Sequence, residues 1–312
     1  MSFTLLAVQI LNGLQLGVVL FLVAAGLTLV FGVMDFVNLA HGVQYMLGAY
    51  LTAIAVSKTG SFALGLVGGL AGSLALGFAF ELVLFRHLVR RDHLEQVLAT
   101  FAVILIVTDL ARMIFGPAPI AFPLPAMLSG SIALMPGLAY PVWRLVIIAA
   151  GLATAFLLWF LITRTRTGML LRAGSTHPDM VSALGVDIDR VFLFVFAFGA
   201  MLAGFAGAMA GPILSVEPSM GDNVLILAFV VIVIGGIGAV RGALVASLIV
   251  GLVDTLGRAF MTDLLRLVLD RSSAAQAGPA LASMAIYLVM AAVLIVKPTG
   301  LFSGERVTAR SK

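Results

Sequence analysis

Long stretches without any charge constrain this chain more than anything else in it. Residues 59–80, 113–143, 145–163, 191–216, 223–240 and 272–296 carry none, and the first 57 residues contain only Asp35. A helix that crosses about 30 Å of hydrocarbon needs roughly 20 apolar residues, so several of these stretches can each span a bilayer. Of the 312 residues, 62% are hydrophobic and 10% charged, against about 45–50% and about 25% in a soluble domain. Too little polar surface is available to cover a core in water. This excludes a soluble enzyme, a secreted disulfide scaffold and a nucleic-acid binder. The expected fold is all-α: a polytopic membrane helix bundle, one transmembrane domain over residues 1–312.

Hydropathy places nine segments, at about 5–33, 42–57, 61–85, 94–116, 142–162, 191–214, 223–240, 242–260 and 280–296. The expectation is about 8–10 segments, including broken or re-entrant helices, because 34–60 and 235–260 contain glycine. No inverted repeat is evident in the sequence. Orientation follows from the excess of Lys and Arg on cytoplasmic loops. Placing 86–93, 163–190 and the tail after 296 inside puts 12 basic residues there: Arg86, Arg90, Arg91, Arg164, Arg166, Arg172, Arg190, Arg241, Lys297, Arg306, Arg310 and Lys312. Lys58, Arg144, Arg258, Arg266 and Arg271 remain outside, and Arg112 lies within a segment. The N-terminus is then outside and the C-terminus cytoplasmic. No Lys or Arg precedes Lys58; a cleavable signal needs a positive start, so the first apolar segment is expected to be retained.

The external stretch 117–141 holds Pro117, Pro119, Pro123, Pro125, Pro136 and Pro141. Proline fixes φ and removes a donor, so this segment cannot be one regular helix. It reads as an ordered extracytoplasmic loop, either a connector on the membrane surface or a docking surface for a partner. Gly13/Gly17, Gly65/Gly69, Gly68/Gly72, Gly207/Gly211 and Gly238/Gly242 have GxxxG spacing, which lets helices approach closely in lipid. Packing within one bundle is the plain account, and a subunit interface is the other.

Catalytic chemistry has no support. The chain has no cysteine, and its four histidines, His41, His87, His93 and His177, form no zinc motif. The lysines are Lys58, Lys297 and Lys312, none after a phosphate-binding loop, and no GxSxG elbow exists. No metal site and no cofactor is expected, and a nucleotide would have to be held by another chain. Two segments are informative. In 35–51, Asp35, Asn38, His41 and Gln44 recur every three residues, a drifting polar stripe if helical. Such residues either satisfy backbone groups where a helix breaks beside Gly42, line a translocation path, or form a cytoplasmic turn. In 163–190, Pro178 suits the start of a short helix, Asp179 its positive end and Gly185 its stop. Met180, Val181 and Leu184 would share one apolar face, fit for a groove on a partner or for the bilayer surface. Asp109 with Arg112 and Asp254 with Arg258 can each neutralise within one helix, although either aspartate could serve an ion relay. Glu81, Asp92 and Glu95 are near segment ends, where interfacial exposure is the simplest expectation.

The stretches NGLQLG (12–17), AGLTLVFGVMDFVNLAHGVQYMLGAYL (25–51) and GGIGAVRGALVASLIVG (235–251) resemble the LivH-type permeases of branched-chain amino acid ABC importers. TRTGMLLRAGSTHPDMVSALGVDIDRV (165–191) is similar to that family's cytoplasmic coupling segment. The likeness covers nearly the whole chain in order, and its most specific element lies around Asn38, Ala40, His41 and Gly42. It implies a permease subunit in a bacterial inner membrane, paired with a second permease, two ATPase subunits that bind the ATP, and an extracytoplasmic solute-binding protein. By position, Ala173 to Gly185 would form the coupling helix, with Ala173, Pro178, Met180, Val181, Leu184 and Gly185 at the ATPase. Asn38, His41 and Gln44 would lie near the substrate path. The family's solutes include branched-chain and other amino acids, urea, amides and short organic acids. Transport would run by alternating access. The competing readings are an ion-driven secondary transporter and a passive channel for a small neutral solute such as urea.

Overall fold

The computed structural model describes residues 3–135, 138–176 and 178–302. Along the chain run α1 (Phe3–Met34), α2 (His41–Thr59), α3 (Phe62–Phe80), α4 (Arg86–Leu88) and α5 (His93–Phe115). A hairpin β1 (Ser131–Met135) and β2 (Leu138–Pro141) follows, then α6 (Val142–Arg164), α7 (Arg166–Thr176) and α8 (Pro178–Ala183). The last are α9 (Ile188–Leu214), α10 (Met220–Gly235), α11 (Val240–Leu265) and α12 (Arg271–Val296). A π-helical turn at Glu81–Phe85 joins α3 to α4 as one rod. Among the described residues seven helices are long and apolar enough to cross a membrane, and the chain is a multi-pass helical bundle. The hairpin departs from an all-α fold; it sits in the proline-rich loop, whose other regular element among the described residues is a single 3-10 turn at Ala126–Leu128.

Helix ends follow local chemistry. Asp92 accepts a bond from the His93 N–H and Asp187 from the Arg190 N–H, while Asp270 accepts from Ser272 and Ser273. Each carboxylate satisfies a donor that the first turn leaves unpaired. Gly60 closes α2 in the left-handed region at φ 66°. The apolar helix expected at 280–296 begins nine residues earlier because Asp270 caps it there. The break expected near 241 falls at 236–239, with Gly236 and Gly238 both at positive φ.

The core belongs to α1. Over its most apolar stretch 83% is buried by protein, against 11% for α12. Helix α1 runs antiparallel to α11, with Gly13 on Leu252 and Gly17 on Ser247 and Leu248. In the same way α9 runs antiparallel to α3, with Gly77 on Ala197 and Gly204 on Ser73. The units α1–α2–α3 and α9–α10–α11 thus pair reciprocally and with opposite chain direction, the first helix of each on the third of the other, and are called the inverted units below. Helices α1 and α9 meet at Gly26 and Gly199, and α2 and α10 at Gly42 and Gly221. The repeat, invisible in the sequence, is held by these glycine contacts. The GxxxG glycines pack within the bundle: Gly65 on Val56, Gly69 on Thr52, Gly207 on Tyr45 and Gly242 on Gly235.

One end of the bundle carries Arg86, Arg90, Arg91, Arg164, Arg172, Arg190, Arg241 and Lys297, and is called the basic end below. Arg306, Arg310 and Lys312, assigned to the same side from sequence, lie outside the described residues.

Candidate translocation and coupling sites

The two inverted units share a break. Helix α1 ends at Met34, and Asp35 adopts φ 54° while its N–H bonds the Phe31 carbonyl at 3.0 Å. Aspartate tolerates the left-handed region better than most residues, so it stops the helix without glycine. Residues 35–40 are non-helical, and α2 begins at His41. The His41 ring Nε2 lies 3.1 Å from the Val23 carbonyl of α1. Val23 is 11 residues, about 16 Å of helix, back from Met34. The chain therefore re-enters the bundle from the basic end and starts α2 at mid-depth. In the second unit α9 ends at Leu214, and Ser215 follows, again at positive φ (64°), its N–H bonding the Gly211 carbonyl at 2.9 Å. Residues 215–219 then lead inward to α10, whose Gly221 touches Gly42.

Asn38, His41 and Gln44 are all buried at this centre, whereas Asp35 is exposed at the basic end. The expected helical stripe is thereby corrected: Asp35 and Asn38 lie in the broken segment, and only His41 and Gln44 share a helix. His41 ties α2 to α1, and Gly26 supplies the room for its ring. The Asn38 amide is fully buried, and neither its Nδ2 nor its Oδ1 hydrogen-bonds the protein among the described residues.

Backbone satisfaction in the break falls to a residue the sequence reading passed over. Gln96 of α5, 1% exposed, accepts the Val37 N–H at 3.0 Å and donates to the Leu88 and Arg91 carbonyls at 3.3 and 3.0 Å. A glutamine four residues into a helix opened by Asp92 gives no sequence signal of that role. Phe85 packs between Phe36 and Phe196, with ring centroids at 5.4 and 4.9 Å. Glu81 was expected at an exposed interface. It is 3% exposed instead, because the π-helical turn rotates it inward. Asp92 and Glu95 are exposed, as expected, with Glu95 3.8 Å from Arg91.

At the basic end, Arg166–Thr176 (α7) and Pro178–Ala183 (α8) are helical. Ala173 lies exposed on α7; His177, at the junction, is outside the described residues. Helix α8 starts at Pro178 and ends at Ala183, and Gly185 follows at φ 87°. The Leu184 and Gly185 N–H groups bond the Met180 and Ser182 carbonyls, and Val186 N–H bonds Val181. The shared apolar face is corrected at Val181, which is 7% exposed and anchors the turn. Met180 and Leu184 point outward at 62% and 80%.

Beside this face a crevice of about 2300 Å³ opens at the basic end between α1, α6, α7 and α9. Thr28 and Glu81 line it; Asn38, His41 and Gln44 do not. Asp254 pairs with Arg258 at 2.8 Å and Asp109 with Arg112 at 3.4 Å, so each carries its own counter-charge. At the opposite end, Asn12 accepts bonds from the Tyr140 hydroxyl and from Arg144, fastening the hairpin loop to α1. The loop is also bridged to the end of α9 through Ile120 and Val216.

The model of the family described as branched-chain amino acid transport system, permease component, matches residues 9–296. The chain belongs to this permease family. It is 27% identical to the high-affinity branched-chain amino acid transport system permease protein LivH of Escherichia coli (strain K12), covering 96% of each chain. It is 28% identical to the permease protein BraD of Pseudomonas aeruginosa, over 80% of this chain and 85% of the relative. Similarity extends to the ribose import permease protein RbsC of Escherichia coli, at 25% identity over 79% and 76%. No solved structure matches. The permease's match spans both inverted units, so the broken centre and the α7–α8 face both lie inside the family's region.

Proposed function

We propose that this permease is the membrane subunit of an ATP-driven importer for branched-chain amino acids or a related small polar or organic solute. Its basic end faces the cytoplasm of a bacterium, and its membrane is the inner one. Two ATPase subunits hold the ATP, a second permease completes the pore, and a solute-binding protein docks outside, where the loop 117–141 exposes Met127 and Ile132. The observation that carries the reading is α8. It is stopped by a left-handed glycine and offers Met180 and Leu184 at the basic end of a chain whose relatives are import permeases. A short helix with two large exposed apolar side chains fits a groove on an ATPase.

Alternating access then requires two packings of similar energy, biased by ATP and by the binding protein. The inverted units supply two comparable halves that can rock about the Gly26–Gly199 and Gly42–Gly221 contacts. Such repeats also occur in ion-driven secondary transporters, which makes that the second reading. Reconstitution separates them. Leu184→Asp or Gly185→Pro in the assembled complex should insert normally yet lose at least tenfold of solute-stimulated ATPase activity. Unchanged stimulation would sink the coupling role, and uptake by this chain alone in ATPase-free liposomes would sink the importer reading.

A further inference from the structure

The crevice at the basic end is larger than the solute proposed above requires. Pockets for small molecules measure about 300–1,000 Å³, and this one holds about 2300 Å³. Its inner wall is apolar, built from Leu29 of α1, Leu152, Phe156 and Trp159 of α6, and Phe192 of α9. Leu152 and Phe156 are exposed, as are Leu157 and Phe160 of α6 beyond the crevice. Only 22% of the most apolar stretch of α6 is buried by protein, so the crevice wall is continuous with an apolar flank of the bundle. Nothing polar enters from that flank in a membrane. The Phe156 and Trp159 rings lie 5.8 Å apart on this wall.

The mouth has the opposite chemistry. Arg86, Arg90, Arg172, Arg190 and Arg241 line it, together with Asp35, Glu81, Asp187 and Asp189. Asp187 is engaged by Arg190 at 2.8 Å and Asp189 by Arg90 at 4.0 Å. Glu81 is 3% exposed. Among the described residues Arg172 and Arg241 form no ion pair; Arg172 donates to the Ile162 carbonyl and keeps further N–H groups. Guanidinium forks match phosphate oxygens. Arg86 interacts with the Glu81 carboxylate. Among the described residues an apolar slot thus ends at the basic end in two arginines, Arg172 and Arg241, that face no carboxylate partner, and this fits one kind of molecule.

We infer that the crevice binds an anionic phospholipid, with its acyl chains along α6 and its phosphate held by Arg172 and Arg241. Basic pockets between transmembrane helices hold such headgroups. The lipid would fill the space between α6 and the α1–α9 core, next to α7, and so brace the segment that leads to α8. This inference needs only the membrane location of the chain, not the importer reading, and its test uses no transport.

The purified full-length chain in detergent is titrated with phosphatidylglycerol, with phosphatidylcholine of the same acyl chains, and with inorganic phosphate. Thermal unfolding and native mass spectrometry are the readouts. The expected result is a retained phosphatidylglycerol adduct and a melting temperature that rises by several degrees with that lipid alone. Removing both guanidiniums in Arg172→Gln/Arg241→Gln should weaken its binding about 30-fold, at about 1 kcal/mol per basic residue. Lys58→Gln at the other end should leave it unchanged. If the double variant fails to fold, Ala155→Trp, which fills the slot and keeps both arginines, should abolish the adduct. Equal stabilisation by phosphatidylcholine, the same rise with inorganic phosphate, or an undiminished adduct in the folded double arginine variant or in Ala155→Trp would each overturn the assignment.

Discussion

Asn38 and His41 are three residues apart and both fully buried, yet they face different problems. His41 satisfies the Val23 carbonyl. Its replacement by leucine leaves that acceptor without its cross-helix partner, at a cost of about 1–3 kcal/mol, and should lower the melting temperature and transport together. Asn38 buries an amide that bonds no protein group among the described residues. Burial of such a group is costly, so Asn38→Leu should hold or raise the melting temperature while reducing uptake at least tenfold, if the amide serves solute or a second packing. Normal uptake in a stable Asn38→Leu protein would remove it from the path. Ser215 presents the reverse case. Its φ 64° and ψ 159° belong to a region used almost entirely by glycine. Ser215→Gly should therefore stabilise the folded permease by about 1 kcal/mol, read as a higher melting temperature; a lower one would contradict the strain.

The break between α1 and α2 persists because other elements complete its hydrogen bonds. In hydrocarbon an unsatisfied backbone group costs several kcal/mol, and Gln96 covers the Val37 N–H of the break while holding on to the Leu88 and Arg91 carbonyls of the turn before α5. Gln96→Leu should destabilise the chain by about 2–4 kcal/mol, measured as loss of folded protein after extraction. Gln96→Glu keeps the acceptor for Val37 but loses both donations as a carboxylate, and should recover only part of the loss. Full stability in Gln96→Leu would mean the broken segment is satisfied elsewhere. The stop that follows α8 was legible, since Gly185 marks it by local stereochemistry. That Val181 turns inward was not, because which side of a two-turn helix is covered depends on its packing against α7 and α9.

Across the molecule, glycine contacts set how near the inverted units lie. A Cβ on Gly48 would overlap the Gly204 backbone, and one on Gly42 would overlap Gly221. Gly48→Val should abolish the folded bundle, and Gly60→Ala, at an open turn with nothing near it, should cost only the left-handed strain of about 1 kcal/mol. Comparable losses at both sites would refute close packing as the reason for Gly48.

The charge-free runs by themselves determined that this chain is a multi-pass helical bundle, because a bilayer admits little else for such segments. The helix-stop at Gly185, the self-neutralised pairs Asp109–Arg112 and Asp254–Arg258, and the polar cluster near residue 38 were equally local and equally legible. Tertiary structure alone decided that α2 starts at mid-depth, that Ser215 repeats the turn made at Asp35, and that Glu81 faces inward. The two units share almost no sequence pattern, since the same backbone path is imposed by contacts between helices more than 150 residues apart, such as Gly26 with Gly199. Hydrophobic periodicity reports which face of a segment avoids water. In a membrane nearly every face does, so depth, pairing and inversion are left to packing.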